Sequence, residues 1–221
     1  MALRTVIAAG AALALLGPLG PAQAAEDPLK GDLRELRVGM SVDEVPEQGY
    51  VNLACGTDGS APGTPIASWH DYAGCPSEAS GWHEVAFEFE ESPWAEAGDR
   101  WEGTKVAGHP VIPSLLIDDQ GVVQGIRIVT DPDTRLYLKK KAFLMYIRVM
   151  GRYGQEGWQC VEHEPSQGRT PIGGMYIDRQ CEKTFHDRKL ILSTELFREP
   201  EQQGQEFTGG TRLEILKQAT G

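Results

Sequence analysis

The sequence predicts an α+β protein of antiparallel sheets with few helices, divided into two similar tandem halves. Three observations predict it. Segments that alternate apolar and polar residues outnumber helical ones and come in runs, the pattern of antiparallel rather than parallel βαβ sheet. Two such segments, 114–117 and 122–129, flank Asp118-Asp119-Gln120-Gly121, the clearest hairpin turn in the chain. Four cysteines form two pairs of nearly equal span, Cys55 with Cys75 and Cys160 with Cys181, one pair per half.

Residues 1–24 read as a secretory signal peptide. Arg4 supplies the positive start, residues 6–16 the apolar stretch, and Ala22-Gln23-Ala24 a small-residue cleavage site. The apolar stretch is too short to span a bilayer, and no later segment is apolar enough. The first half, 25–130, opens with a polar arm. Ser41, with Glu44 three residues on, forms a capping box for a short helix that Pro46 and Gly49 end. Residues 50–53 are strand-like and lead into Cys55, and a Gly/Pro-rich loop runs to Gly81. From His83 the chain alternates, with Val85, Phe87 and Phe89 on one side and Glu84, Glu88 and Glu90 on the other. Residues 92–108 are irregular, and the hairpin follows. The second half, 131–221, opens with the longest predicted helix, 132–153. Asp131 caps it, Pro132 takes its first position and Gly154 stops it. Strands are expected at 157–161, 175–185, 189–197 and 211–217, with a Gln/Gly loop over 199–210.

Asp and Glu number 32 against 21 Lys and Arg, a formal charge of −11. That balance repels nucleic acid and anionic lipid and suits a periplasmic or secreted protein. In such a compartment an even cysteine count reads first as disulfides. Two local bridges would each close a loop of about 20 residues and contribute about 3 kcal/mol by restricting the unfolded chain. The competing reading is zinc, since Cys160-x2-His163 and Cys181-x4-His186 have finger-like spacing. The oxidising compartment weighs against it, and no cofactor is expected.

Residues 36–45, Leu36-Arg37-Val38-Gly39-Met40-Ser41-Val42-Asp43-Glu44-Val45, resemble the opening of small bacterial envelope proteins of the SmpA/OmlA type and of the β-lactamase-inhibitor-like fold. The hairpin over 115–129 looks like their strand-turn-strand, and the tandem arrangement is similar to the inhibitor's duplication. The chain departs from them in lacking a lipobox cysteine, in its short first helix and in its long loops. The resemblance implies a non-catalytic envelope module that binds another protein on its sheet. It carries over no functional residue.

The signatures Gly-x-Ser-x-Gly, Ser-x-x-Lys, Cys-x-x-Cys and His-Glu-x-x-His are absent, which leans against an enzyme. Three constellations remain. Trp82 and His83 beside Glu88 and Glu90 would suit a metal, a sugar or another small ligand, or hydrolysis. Alternation alone explains the same residues as a solvated strand face. Lys141, Arg148 and Arg152 share one direction on a helical wheel, and line either an anion-binding groove or the water-facing strip of a buried helix. Leu136, Phe143, Ile147 and their neighbours make that helix apolar in nearly every other direction. It therefore needs cover on several sides, from a sheet or from a second copy in a homodimer. Trp69, Trp94 and Trp101 lie in loop-like sequence, as contact residues if exposed and core plugs if buried. The leading expectation is an exported, non-enzymatic module whose partner is an envelope protein.

Overall fold

The computed structural model describes residues 31–90, 104–166 and 168–218. The predicted signal peptide, Trp94 and Trp101 lie outside the described residues. The strands are β1 (Tyr50–Cys55), β2 (His83–Phe89), β3 (Lys105–Val106), β4 (His109–Ile117), β5 (Val123–Thr130), β6 (Gln159–Glu162), β7 (Ile177–Phe185), β8 (Arg188–Phe197) and β9 (Thr208–Lys217). They form one antiparallel sheet in the order β1-β2-β4-β5-β9-β8-β7-β6, with β3 paired to β4. Strands β1, β2, β4 and β5 make one meander and β6 to β9 another, joined where β5 pairs with β9. The sheet-dominated class matches the alternation in the sequence.

Helix is sparse. The chain has 3-10 turns at Val42–Glu44 and Trp69–Gly74, and α-helices α1 (Leu136–Lys140) and α2 (Phe143–Tyr153). The capping box forms as expected, Ser41 Oγ accepting from Asp43 N at 3.3 Å and Glu44 Oε2 from Ser41 N at 2.8 Å. The long helix does not. Asp131 Oδ1 accepts from Asp133 N at 2.8 Å, which folds 131–134 into a turn, and helix begins only at Leu136. The run then breaks at 141–142. There Leu144 N and Met145 N bond back three residues, at 2.9 and 3.0 Å. The Ala142 carbonyl meanwhile accepts from Thr211 Oγ1 of β9 at 2.9 Å.

Strand parity sorts side chains onto two faces. The inner face carries Phe87, Leu115, Ile126, Leu213 and Leu192 into one core. Helix α2 packs on it through Met145, Val149 and Tyr153, spaced four apart on one stripe. The helical segment is thus covered on one side rather than several. Leu136, Tyr137 and Ile147 are 47%, 66% and 57% exposed. Trp69 plugs the same core, 1% exposed, donating to the Pro46 carbonyl at 3.1 Å.

Both disulfides join the sequence-local partners, Cys55 to Cys75 and Cys160 to Cys181. That commits all four thiols and overturns the zinc reading. His163 turns instead to Asp178, at 2.9 Å. No helix among the described residues is long and apolar enough to cross a membrane.

Candidate functional site

The outer face of the sheet differs between the two meanders. Across β2, β4 and β5 it is buried: Ala86, Ser114 and Leu116 are each 1% exposed, and Arg127 is 5% exposed. The loop between β1 and β2 covers it. Gly59 allows the close approach, since it sits at φ +82° and a Cβ there would meet Val129 Cγ2 at 2.6 Å.

Charge clamps this loop to the sheet. Arg127 of β5 reaches Glu78 at 2.6 Å, Glu84 at 3.0 Å, Asp58 at 3.3 Å and, through Nε, Glu214 at 2.8 Å. Arg212 of β9 shares Glu214, at 2.8 Å, and Asp58. Glu84 is 4% exposed and fully engaged, taking Ser114 Oγ at 2.6 Å and Asp58 N at 2.7 Å. Burial opposes the charge on Arg127, but Glu78, Glu84 and Glu214 hold its pKa above the ordinary value. Burial would likewise raise Glu214, yet hydrogen bonds from Arg212 and Arg127 bring its carboxyl below the usual range. The sequence presents Glu84 as a solvated partner of Glu88 and Glu90, and in the fold it is the buried pivot of this network.

On β9 the clamp already takes up Arg212 and Glu214, but across β6 to β8 no such loop covers the outer face among the described residues. Register places Gln159, Glu182 and Ile191 in one row and Val161, Gln180 and Ser193 in the next. Lys189 and Leu216 flank them. Val161 is 58% exposed, and Ile191 and Leu216 are half-buried. Gln159, Val161, Gln180 and Glu182 also line a shallow hollow of about 430 Å³ with His163 and Cys160. The face is therefore mostly amide and carboxylate with scattered aliphatic contacts. Such a surface offers hydrogen bonds to a partner's side chains and backbone and small apolar patches to cover.

The structure distributes the residues singled out in the sequence. His83 and Glu88 lie on opposite faces of β2. His83 is buried, with Nδ1 donating to the Cys75 carbonyl at 2.7 Å and Nε2 3.0 Å from Asp119 Oδ1. It pins the stapled loop to the β4–β5 turn. The bond to Cys75 raises its pKa, burial opposes this and Asp119 adds to it. Trp82 is half-buried, and its carbonyl accepts from Glu78 N at 2.8 Å. Glu88 and Glu90 are exposed, Glu88 accepting from Asn52 at 3.1 Å. Lys141 turns to Tyr137, away from its expected companions. Arg148 and Arg152 do come together, at one pocket with Arg34. Arg34 sits in the polar arm, where nothing in its neighbours marks it. Arg127 carries a signal, a charge inside the apolar run Gly125-Ile126-Arg127-Ile128-Val129.

Compared with family models, with curated proteins and with solved structures, the chain matches none of them.

Proposed function

We propose that the chain is an exported, non-catalytic binding module that engages another envelope protein through the outer face of β6 to β8. The observation that carries this is the asymmetry of cover: the charged, stapled loop seals the outer face of β2, β4 and β5 and is clamped by β9, while β6 to β8 stay open. An antiparallel sheet needs only one buried face to be stable, so the second is free for a partner. The disulfides fit an oxidising compartment, and the resemblance over 36–45 fits a binding module.

The test is photocrosslinking from Ser193 in envelope extract. A discrete partner is expected, lost on Ile191→Asp and retained on Glu88→Gln. Recovery of the bait alone, or capture indifferent to Ile191→Asp, would remove the proposal.

We also infer that the two meanders are copies of one unit. Each follows helical sequence, each comprises four strands in sequential order, and each carries one staple at its first strand. Co-expression of 25–130 with 131–221 is expected to reconstitute the fold, because the halves meet along β5 and β9. Failure to form a stable pair would count against it. The exposed Leu136, Tyr137 and Ile147 favour a second reading, a homodimer over the helices. Sedimentation finding only monomer at high concentration would dispose of it.

A further inference from the structure

A second cavity lies between α2 and the segment 31–34, apart from the sheet's outer face. It encloses about 300 Å³, at the small end for ligand pockets. Its floor is apolar and buried: Ile128, Met145, Val149 and Leu213. Three arginines line it as well, Arg34, Arg148 and Arg152, all of them exposed. None of the three is ion-paired among the described residues. The chain carries a net charge of −11, yet among the described residues no carboxylate neutralises this group.

Two further groups define the site. Asp32 lines it, but both of its oxygens are committed, one to Arg188 and one to Val38 N at 2.9 Å. Tyr153 also lines it, 2% exposed; its hydroxyl lies near the Arg152 guanidinium but has no partner of hydrogen-bond geometry among the described residues. A buried hydroxyl without a partner carries a desolvation cost that a bound acceptor would remove. The arginines keep donors in reserve. Arg152 uses one on the Gly31 carbonyl, at 3.0 Å, and Arg34 lies with its guanidinium 3.4 Å from the Phe89 ring centroid. Each guanidinium has five N–H donors in a fork that fits a carboxylate. Arg34 holds its place at φ +54°, a conformation that a non-glycine residue adopts at a cost.

We propose that this pocket binds a small amphiphilic carboxylate. Its head lies among Arg34, Arg148 and Arg152 and its hydrocarbon stem on Ile128, Met145, Val149 and Leu213. The charge selects an anion, and the apolar floor selects one with a stem over a free inorganic ion. The three arginines also make binding weaken as salt rises, because they are exposed.

Calorimetric titration of the exported chain with octanoate tests this, alongside octan-1-ol as a neutral counterpart and acetate as the head alone. Octanoate is expected to bind, octanol at least about tenfold more weakly, and acetate not measurably. Arg148→Gln is expected to weaken octanoate about tenfold while leaving the thermal midpoint in place, since Arg148 is exposed and without an ion pair among the described residues. Arg34→Gln provides an independent second variant. Absence of heat with octanoate up to ~1 mM, equal affinity for octanol, or affinity unchanged in both variants would overturn the proposal. None of these outcomes involves the sheet face, so the protein-binding reading stands or falls separately.

Discussion

Replacing Arg127 with Met removes a charge from the middle of the sheet and nearly keeps its volume. Four carboxylates lose their shared partner, unequally. Asp58 and Glu214 retain Arg212. Glu78, with a side chain 28% exposed, is left to solvent. Glu84, with a side chain 5% exposed, pairs with no other cation among the described residues. The cost is therefore dominated by one stranded buried carboxylate, about 3–4 kcal/mol. For a chain of this size that lowers the thermal midpoint by about 6–16 °C. Calorimetric or circular-dichroism melts at neutral pH measure it. The double variant Arg127→Met with Glu84→Gln removes both charges and is expected to recover to within about 1–2 kcal/mol of the parent. The loop should also become a protease-sensitive segment in the single variant, because Asp58 and Glu78 lose an anchor. A melt of Arg127→Met within about 1 kcal/mol of the parent, or simple additivity of the two substitutions, would show that Glu84 is not stranded by loss of Arg127. Acid provides a further check. The folded pKa of Glu214 is lowered, so its contribution is present above the unfolded value and is lost as pH falls through the folded one.

The other predictions concern the same loop and its counterpart. His83 has a raised folded pKa, so its stabilisation is complete below the unfolded value and disappears as pH rises through the folded one. The stability gap between the parent and His83→Gln should narrow from pH 6 to pH 9, and a constant gap would show that the ring acts by packing alone. Denatured protein should show no free thiol, and Cys55→Ser with Cys75→Ser should cost about 3 kcal/mol in urea unfolding. Gly59→Ala should destabilise by about 1–3 kcal/mol through its positive φ and the collision with Val129, whereas Gly74→Ala, which meets nothing, should be near neutral. Hydrogen exchange should be faster in β6 after Cys160→Ser with Cys181→Ser, with β8 and β9 unchanged, since all four β6 residues are exposed and pair with β7 alone.

Much of the fold is legible in the alternation. Val85, Phe87 and Phe89 point inward as their period-two spacing requires, and the Asp118–Gly121 turn joins β4 to β5. The capping box at Ser41 is readable because all its partners lie within four residues. What sequence spacing cannot show is which outward-facing residues another segment covers. Glu84 and Glu88 are equivalent by alternation. Glu84 is buried because Asp58 and Glu78 fold over it from across a long loop, while Glu88 remains exposed. The same limit separates Lys141 from Arg148 and Arg152. A wheel assumes one continuous helix, and the break at 141–142 rotates Lys141 out of the group. Arg34 could not be added to that group from sequence, because only the tertiary fold brings the arm against α2.

The two staples explain why topologically similar meanders present different outer faces. In each, the first strand carries a cysteine. In the first meander the bond runs from β1 into a long loop, so the loop is tethered beside the sheet and the Arg127 network can hold it down. In the second, the bond runs between paired residues of β6 and β7 and closes no loop over the sheet. The loop-closure entropy saved is similar in both cases, since the separations are 20 and 21 residues. The geometric result is opposite. One staple ties a glycine-rich segment to the inner core at Cys55 and Cys75, and ion pairs from Arg127 and Arg212 hold Asp58 and Glu78 of that segment over the outer face. The other fixes an edge strand too short and too exposed to stay paired by burial, and so keeps Gln159 and Val161 in register with Glu182 and Gln180. Removing the first should uncover a charged interior, whereas removing the second should fray the open face where a partner would dock.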